Sequence, residues 1–272
     1  MVSKARFFIF CDLQNLSMLL DLRSRNLQSE LMDDPSLDGV SHEQALTGLR
    51  RINWWSRTDL AVWRAVRRNL KDVSFDRPVS ILDIASGGGD LAIRLSQRAE
   101  RAGIAVNIEG CDISPTAIAF ATRQASAANR GNVRFTLCNA LQEPLPQAQY
   151  DVVMCSLFLH HLTVEDAVLL MEKMQAAARM LVLIDDLQRT RLGYSLAWLG
   201  CRLLTRCHVV HADGPMSVEG AFTVNEAQKL AEKAGIRNAV FETHWPERFI
   251  MTSLPSNRDE PPVNVEATNA QE

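Results

Sequence analysis

Ser86-Gly87-Gly88-Gly89 forms a run of small residues between an apolar stretch, Ile81-Leu82-Asp83-Ile84, and an amphipathic one from Leu91 to Arg101. That order predicts a strand, a tight turn and a helix. A turn without side chains lets a ligand come close to the backbone, and a helix start leaves N–H groups unpaired and facing outward. A small ligand is expected there. A phosphate-cradling loop would end in Gly-Lys-Ser/Thr, whereas Gly89-Asp90-Leu91 puts a carboxylate where a phosphate needs a cation, which argues against ATP and GTP. Ala85, Gly87 and Gly88 fit the dinucleotide pattern G-x-G-x-x-G poorly. A second predicted strand, Val106 to Asp112, ends in an acid about twenty residues beyond the turn, where α/β nucleotide-binding folds place a carboxylate on ribose hydroxyls. Asp112 is the expected sugar ligand.

The turn resembles motif I of the class I S-adenosylmethionine (SAM) dependent methyltransferases, D-x-[G/A]-x-G-x-G, carried here by Asp83, Ala85, Gly87 and Gly89. Ala85 replaces the usual first glycine. SAM has no phosphate, so an acidic flank is tolerable and favours its ammonium group. The resemblance covers roughly residues 78–253. It implies an α/β fold: a Rossmann-like seven-stranded methyltransferase sheet with helices on both faces and an N-terminal helical cap. It also implies SAM as cofactor, leaving as S-adenosylhomocysteine, with contacts from Asp83, Ala85, Ser86, Gly87, Gly89, Asp112, Ile113, Asn139, Ala140, Leu141 and Ser156. Asn139 stands where the family often has an aspartate that takes the adenine amino group, and its carbonyl can accept the same hydrogen bond.

After a predicted fourth strand, Tyr150 to Cys155, comes Ser156-Leu157-Phe158-Leu159-His160-His161-Leu162. Many small-molecule methyltransferases have Leu-His-His-Leu here. Plant-type phenolic O-methyltransferases have a similar Leu-His-Asp-Trp segment in which the histidine is the general base, and placed against it His160 takes that position. The chemistry agrees, because a neutral phenol is a poor nucleophile and an imidazole near neutral pKa can take its proton. His161 is expected to be mainly structural. Asp186, at the end of the fifth strand, is expected to orient His160 or a substrate hydroxyl. His211, on a loop with His208 and Asp213, is the second candidate base. Cys207, His208, His211 and Asp213 lie close together but show neither C-x-x-C nor H-E-x-x-H spacing, so no metal is expected.

The frame is that of an ordinary globular chain: 272 residues, 47% apolar and 22% charged, with a formal net charge of -3. One large domain with an added cap is expected. Near-neutral charge and the lack of an N/D-P-P-Y/F motif argue against nucleic acid as partner and leave a small-molecule acceptor. Six scattered cysteines without C-x-x-C fit a reduced, cytoplasmic setting. Phe7 to Cys11 is too short an apolar run for a signal segment or a span.

Residues 1–40 are expected as a loose segment and linker, 41–77 as a helical cap, 78–253 as the SAM-binding domain with a helical insertion at 187–222, and 254–272 as a disordered tail. Ser41 with Gln44 reads as a weak capping box, and Leu46, Leu49, Ile52 and Trp55 recur about one turn apart. Trp54, Trp55 and Trp63 suit core packing or a lid over a flat substrate. The apolar helix Leu192 to Leu204 is expected to line an acceptor cavity; the alternative is a peripheral membrane contact. Nothing indicates an oligomeric state. The lead-in LD-x-x-x-H-x-x-A-L-x-G-L-x-R-I-N, Leu37 to Asn53, is similar to bacterial methyltransferases of polyketide and aromatic natural-product pathways. That implies methyl transfer to an oxygen of a phenol, resorcinol or quinol. Carbon or nitrogen methylation, or a non-catalytic SAM-binding scaffold, are the alternatives.

Overall fold

The structure, a computed structural model, describes residues 21–255 apart from 35, 72 and 74. The Phe7–Cys11 run and the expected tail beyond 255 lie outside the described residues. Two helices, α1 (Gly39–Ser56) and α2 (Thr58–Leu70), precede the alternation β1 (Val79–Ile84), α3 (Asp90–Arg101), β2 (Val106–Asp112), α4 (Pro115–Ala127) and β3 (Val133–Leu137). There follow β4 (Tyr150–Ser156), α5 (Val164–Ala177), β5 (Ala178–Leu187), α6 (Arg191–Leu204), α7 (His208–Gly220), α8 (Val224–Lys233), β6 (Val240–His244) and β7 (Arg248–Ser253). The sheet order is β3-β2-β1-β4-β5-β7-β6. β1 to β5 pair in parallel, and β7 runs antiparallel to both β5 and β6. This is the seven-stranded α/β sheet expected from the sequence.

The central strands are apolar on both faces because both faces are covered. Along β4, Val153 and Cys155 pack with Ala167, Leu170 and Met171 of α5, while Val152 and Met154 pack with Val62 of α2 and Leu91 and Leu95 of α3. Strand order reverses between β1 and β4, so a crevice opens beyond their carboxyl ends, where doubly wound sheets bind ligands.

The helix ends follow local chemistry. Ser114 caps α4 by accepting from the Ala117 N–H, with Pro115 in the first helical position. Thr223 and Glu226 form a reciprocal capping box on α8. α1 differs from expectation: its cap is Asp38, whose carboxylate accepts from the N–H groups of Val40 and Ser41, so the helix starts two residues before Ser41. Arg57, with φ of 56°, breaks the expected continuous helical tract into α1 and α2.

Two expectations about irregular segments also need revising. Residues 21–34, expected as part of a loose segment and linker, lie docked along the domain. Arg25 donates to the carbonyls of Gly220 and His160 and stacks on the Phe222 ring, and Asp213 accepts the N–H groups of Leu31 and Met32. These partners lie far along the chain, and local composition gives no hint of them. The insertion at 187–222 forms two helices, so His208, His211 and Asp213 sit on α7 rather than on a loop.

Away from the crevice, at the opposite ends of the strands, Asp151 ties β1, β4 and β5 together. It accepts from Arg77 at 2.6 and 2.8 Å, from the Ser80 N–H at 2.9 Å and from Arg179 Nε at 3.0 Å. Burial alone would raise its pKa, but Arg77, Ser80 and Arg179 outweigh burial and hold it down to about 2. A depressed carboxylate adds stability that is complete above its unfolded pKa of about 4 and is lost as pH falls through its folded value. Asp151→Asn is expected to cost about 2 kcal/mol at neutral pH and to flatten the loss of stability between about pH 4 and pH 2, as read by urea unfolding across pH.

Candidate active site

The turn after β1 works because three of its residues accept left-handed backbone: Ala85 at φ 54°, Gly87 at 49° and Gly89 at 73°. Ala85 bears a cost of about 1 kcal/mol that a glycine would avoid. At the end of β2, Asp112 is fixed by two backbone donors, Gly87 N–H at 2.8 Å and Ser114 N–H at 2.9 Å, which aim its carboxylate along the turn. A side chain at Gly87 would meet nothing within 4 Å, so the space in front of the turn is open. Gly89 instead lies against Phe135 and Ala121, which leave no room for a Cβ.

In front of the turn lies a cavity of about 790 Å³, lined by Asp83, Ala85, Ser86, Gly87, Asp112, Ile113, Asn139, Ala140, Leu141 and Ser156 among others. Of the sequence-predicted cofactor residues, Gly89 alone stays out of the wall. Four buried side-chain atoms lack a hydrogen-bond partner among the described residues, and three of them, Asn53 Oδ1, Ser86 Oγ and Arg248 Nε, belong to residues lining this cavity. Such orphans are rare in folded proteins and point to a ligand. Burial, with the charges of Asp90 and Asp112 added, pushes the Asp83 carboxyl well above the usual range. Asp90 is also raised by burial, against the opposing pull of Arg94 and Asn53. A ligand with an ammonium, a carboxylate and a sulfonium fits this wall: the acids favour its cations, and the orphan atoms offer acceptors and a donor for its amino-acid end. SAM has those groups. Asn139 departs from expectation, since its side-chain carbonyl already accepts from the N–H groups of Leu141 and Gln142 at 3.1 and 3.3 Å. Its amide nitrogen is the freer end.

At the far side of the cavity, His160 Nδ1 lies 2.6 Å from Asp186 Oδ1, and Asp186 Oδ2 accepts the His160 backbone N–H at 3.1 Å. Asp186 thus sets the ring's position, as the sequence suggested. His160 Nε2 faces Glu30 Oε1 at 3.6 Å. Burial alone would lower the His160 pKa, but Asp186 and Glu30 on its two sides carry it up to about 10. Those acids favour the imidazolium form of the ring, against the expectation of an imidazole near neutral pKa. His161 also does more than pack: its Nδ1 lies 3.0 Å from Asp33 and its Nε2 3.9 Å from Glu30. Glu30 accepts from Ser217 Oγ at 2.5 Å, and despite its burial, His160 and His161 hold its pKa down.

His211 is not part of the site. Its Nε2 meets the Thr205 carbonyl at 3.1 Å, and it lies outside the cavity wall. Asp213 faces the docked N-terminal segment, so Cys207, His208, His211 and Asp213 do not converge. Ser156 lines the cavity and donates to Asp185 at 2.8 Å. Leu46, Leu49 and Ile52 of α1 and Leu196, Ala197 and Leu204 of α6 add an apolar section. The three tryptophans divide: Trp63 is in the core, Trp54 is exposed, and Trp55 lines the cavity with its ring 5.3 Å from Trp245. Sequence reasoning missed Glu30, Asp33, Asn53 and Arg248. The acid-rich Glu30-Leu31-Met32-Asp33-Asp34 was the available signal, but acids beside Pro and Gly read equally well as a solvated linker.

Residues 81–180 match a family model described as a methyltransferase domain. A demethylmenaquinone methyltransferase from Thermus thermophilus is 40% identical over 89 residues, which are 32% of this chain and 38% of that protein. This chain therefore matches less than half of that relative's length. In fold, the chain is similar to an O-methyltransferase family 2 protein from Planctomyces limnophilus, solved in complex with apigenin (TM-score 0.60, 14% identity, 82% of this chain and 63% of that one). It is also similar to a SAM-dependent methyltransferase from Aquifex aeolicus (TM-score 0.53, 18% identity, 74% and 93%).

Proposed function

We propose that the chain, whose residues 81–180 match a methyltransferase domain, is a class I, SAM-dependent enzyme that moves a methyl group from SAM to an oxygen of a small, apolar, phenol-like acceptor. The observation that carries this reading is continuity: one cavity joins the glycine turn and Asp112 to the Glu30, His160 and His161 cluster and to the apolar walls of α1 and α6. Bound SAM supplies an electrophilic methyl group on a sulfonium. Asp112 holds the sugar, and the orphan atoms of Asn53, Ser86 and Arg248 hold the amino-acid end. Glu30 takes the hydrogen of the acceptor hydroxyl, beside a His160 ring fixed by Asp186. The aliphatic walls orient the acceptor and keep water out, and alignment of this kind supplies much of the acceleration in methyl transfer. The relative from Thermus thermophilus is named a demethylmenaquinone methyltransferase, which supports including quinol-like rings among the acceptors to try.

Incubation with methyl-labelled SAM and a panel of phenols, resorcinols and hydroquinones, with and without alkyl tails, tests the reading. An O-methyl product by mass spectrometry and NMR supports it. A product methylated on carbon or nitrogen, or SAM binding without turnover on any acceptor, overturns it.

Gly200 on α6 lines the cavity, and a Cβ there would meet nothing within 4 Å, so Gly200→Trp puts a large ring into the acceptor space without disturbing the helix. Displacing two methylenes of an acceptor tail costs about 1.6 kcal/mol, which is roughly a tenfold rise in KM for tail-bearing acceptors. SAM affinity and thermal stability are expected to stay close to those of the parent.

A further inference from the structure

From the cluster at the acceptor end we propose a divalent-metal site of the zinc type, with His160 Nε2, His161 Nε2 and Glu30 Oε1 as ligands. One ligand atom from each of these residues lies within 4.8 Å of the other two. The carboxylate oxygen stands 3.6 Å from one imidazole nitrogen and 3.9 Å from the other. Ligands about 2.0–2.1 Å from a tetrahedral zinc stand about 3.4 Å apart, so the two carboxylate–imidazole separations need to contract by only a few tenths of an ångström, and all three ligand atoms already lie within 4.8 Å of one another.

A second observation is independent of these distances. Each imidazole has an acid on its other nitrogen, Asp186 at 2.6 Å from His160 Nδ1 and Asp33 at 3.0 Å from His161 Nδ1. A carboxylate accepts, so in each ring the Nδ1–H donates and Nε2 is the nitrogen turned toward Glu30. In the metal-free site the proton on His160 Nε2 faces the Glu30 carboxylate, and a divalent metal takes that proton's place among the three ligand atoms. The acid–histidine–metal arrangement is the usual way in which a zinc-binding imidazole is oriented and made more basic.

The ligands are also held by structure. Glu30 is fixed by Ser217, its neighbours Leu31 and Met32 are fixed by Asp213, and both histidines sit in the short 3-10 turn after β4. Two histidines and one glutamate are a zinc ligand set that leaves a position open, here toward the cavity. An acceptor hydroxyl coordinated there would be acidified by the metal, a use that rests on the methyl-transfer reading above; the metal site itself does not.

The test uses the full chain, free of any affinity tag and without SAM or acceptor. After dialysis against trace Zn²⁺, elemental analysis is expected to give one zinc per chain, and Co²⁺ in its place is expected to give visible d–d bands. Glu30→Gln and His161→Ala are expected to weaken zinc binding at least about a hundredfold, and Asp33→Asn about ten- to a hundredfold. His211→Ala, away from the cluster, is expected to bind like the parent. No bound zinc and no cobalt bands in the parent, or zinc affinity unchanged in both Glu30→Gln and His161→Ala, overturns the site. Because none of these readouts involves methyl transfer, a failure here leaves the methyltransferase reading to its own test.

Discussion

Asp112→Ala is expected to lower the affinity for SAM by about a hundredfold or more. A charged acceptor holding a hydroxyl contributes about 1.5–3 kcal/mol per hydrogen bond, and a ribose offers two hydroxyls. The substitution also removes the acceptor for the Gly87 and Ser114 N–H groups, so the turn itself loosens. Titration calorimetry reads the loss, and a melting curve separates it from unfolding. An unchanged dissociation constant removes Asp112 from the cofactor site.

Glu30→Gln is expected to lower turnover by about 10²- to 10⁴-fold, the range of general-base and related proton-handling groups, with SAM affinity within about twofold of the parent. The substitution keeps the shape of the side chain and its bond from Ser217, and it takes away the anion between His160 and His161. Glu30 is the better choice of variant because removing His160 would strand the buried Asp186 without its cation, a loss of about 3–5 kcal/mol that would confuse stability with chemistry. Normal turnover in Glu30→Gln rules out a part for this carboxylate in the reaction.

What could be read from the sequence follows from how local each feature is. The turn from Asp83 to Gly89 and the acid at Asp112 are parts of one strand-turn-helix-strand unit, and a single loop brings them together. Their types and spacing therefore carried the cofactor end. The same holds for the Ser114-Pro115 helix start, the Thr223–Glu226 box and the final hairpin. The acceptor end is different. Glu30 meets His160 only because Arg25, Leu31 and Met32 dock on α7 and on the turn after β4. An acid-rich segment has the same composition whether it is solvated or clasped to a histidine pair. His160 was expected to be the base, but its protonation depends on two acids far away in sequence, so a neutral ring was expected where Asp186 and Glu30 favour the protonated one. His211 was misread for the opposite reason: a histidine in a polar-looking stretch turned out to be tied to the Thr205 carbonyl on a helix.

Titration of the purified chain with SAM and with S-adenosylhomocysteine tests the methyl-transfer account most directly, because the roles proposed for the cofactor and acceptor ends of the cavity depend on that nucleoside resting on Asp112 in front of the glycine turn. Saturable binding of one molecule of each per chain is the predicted result. No detectable heat and no thermal stabilisation with either compound would contradict it.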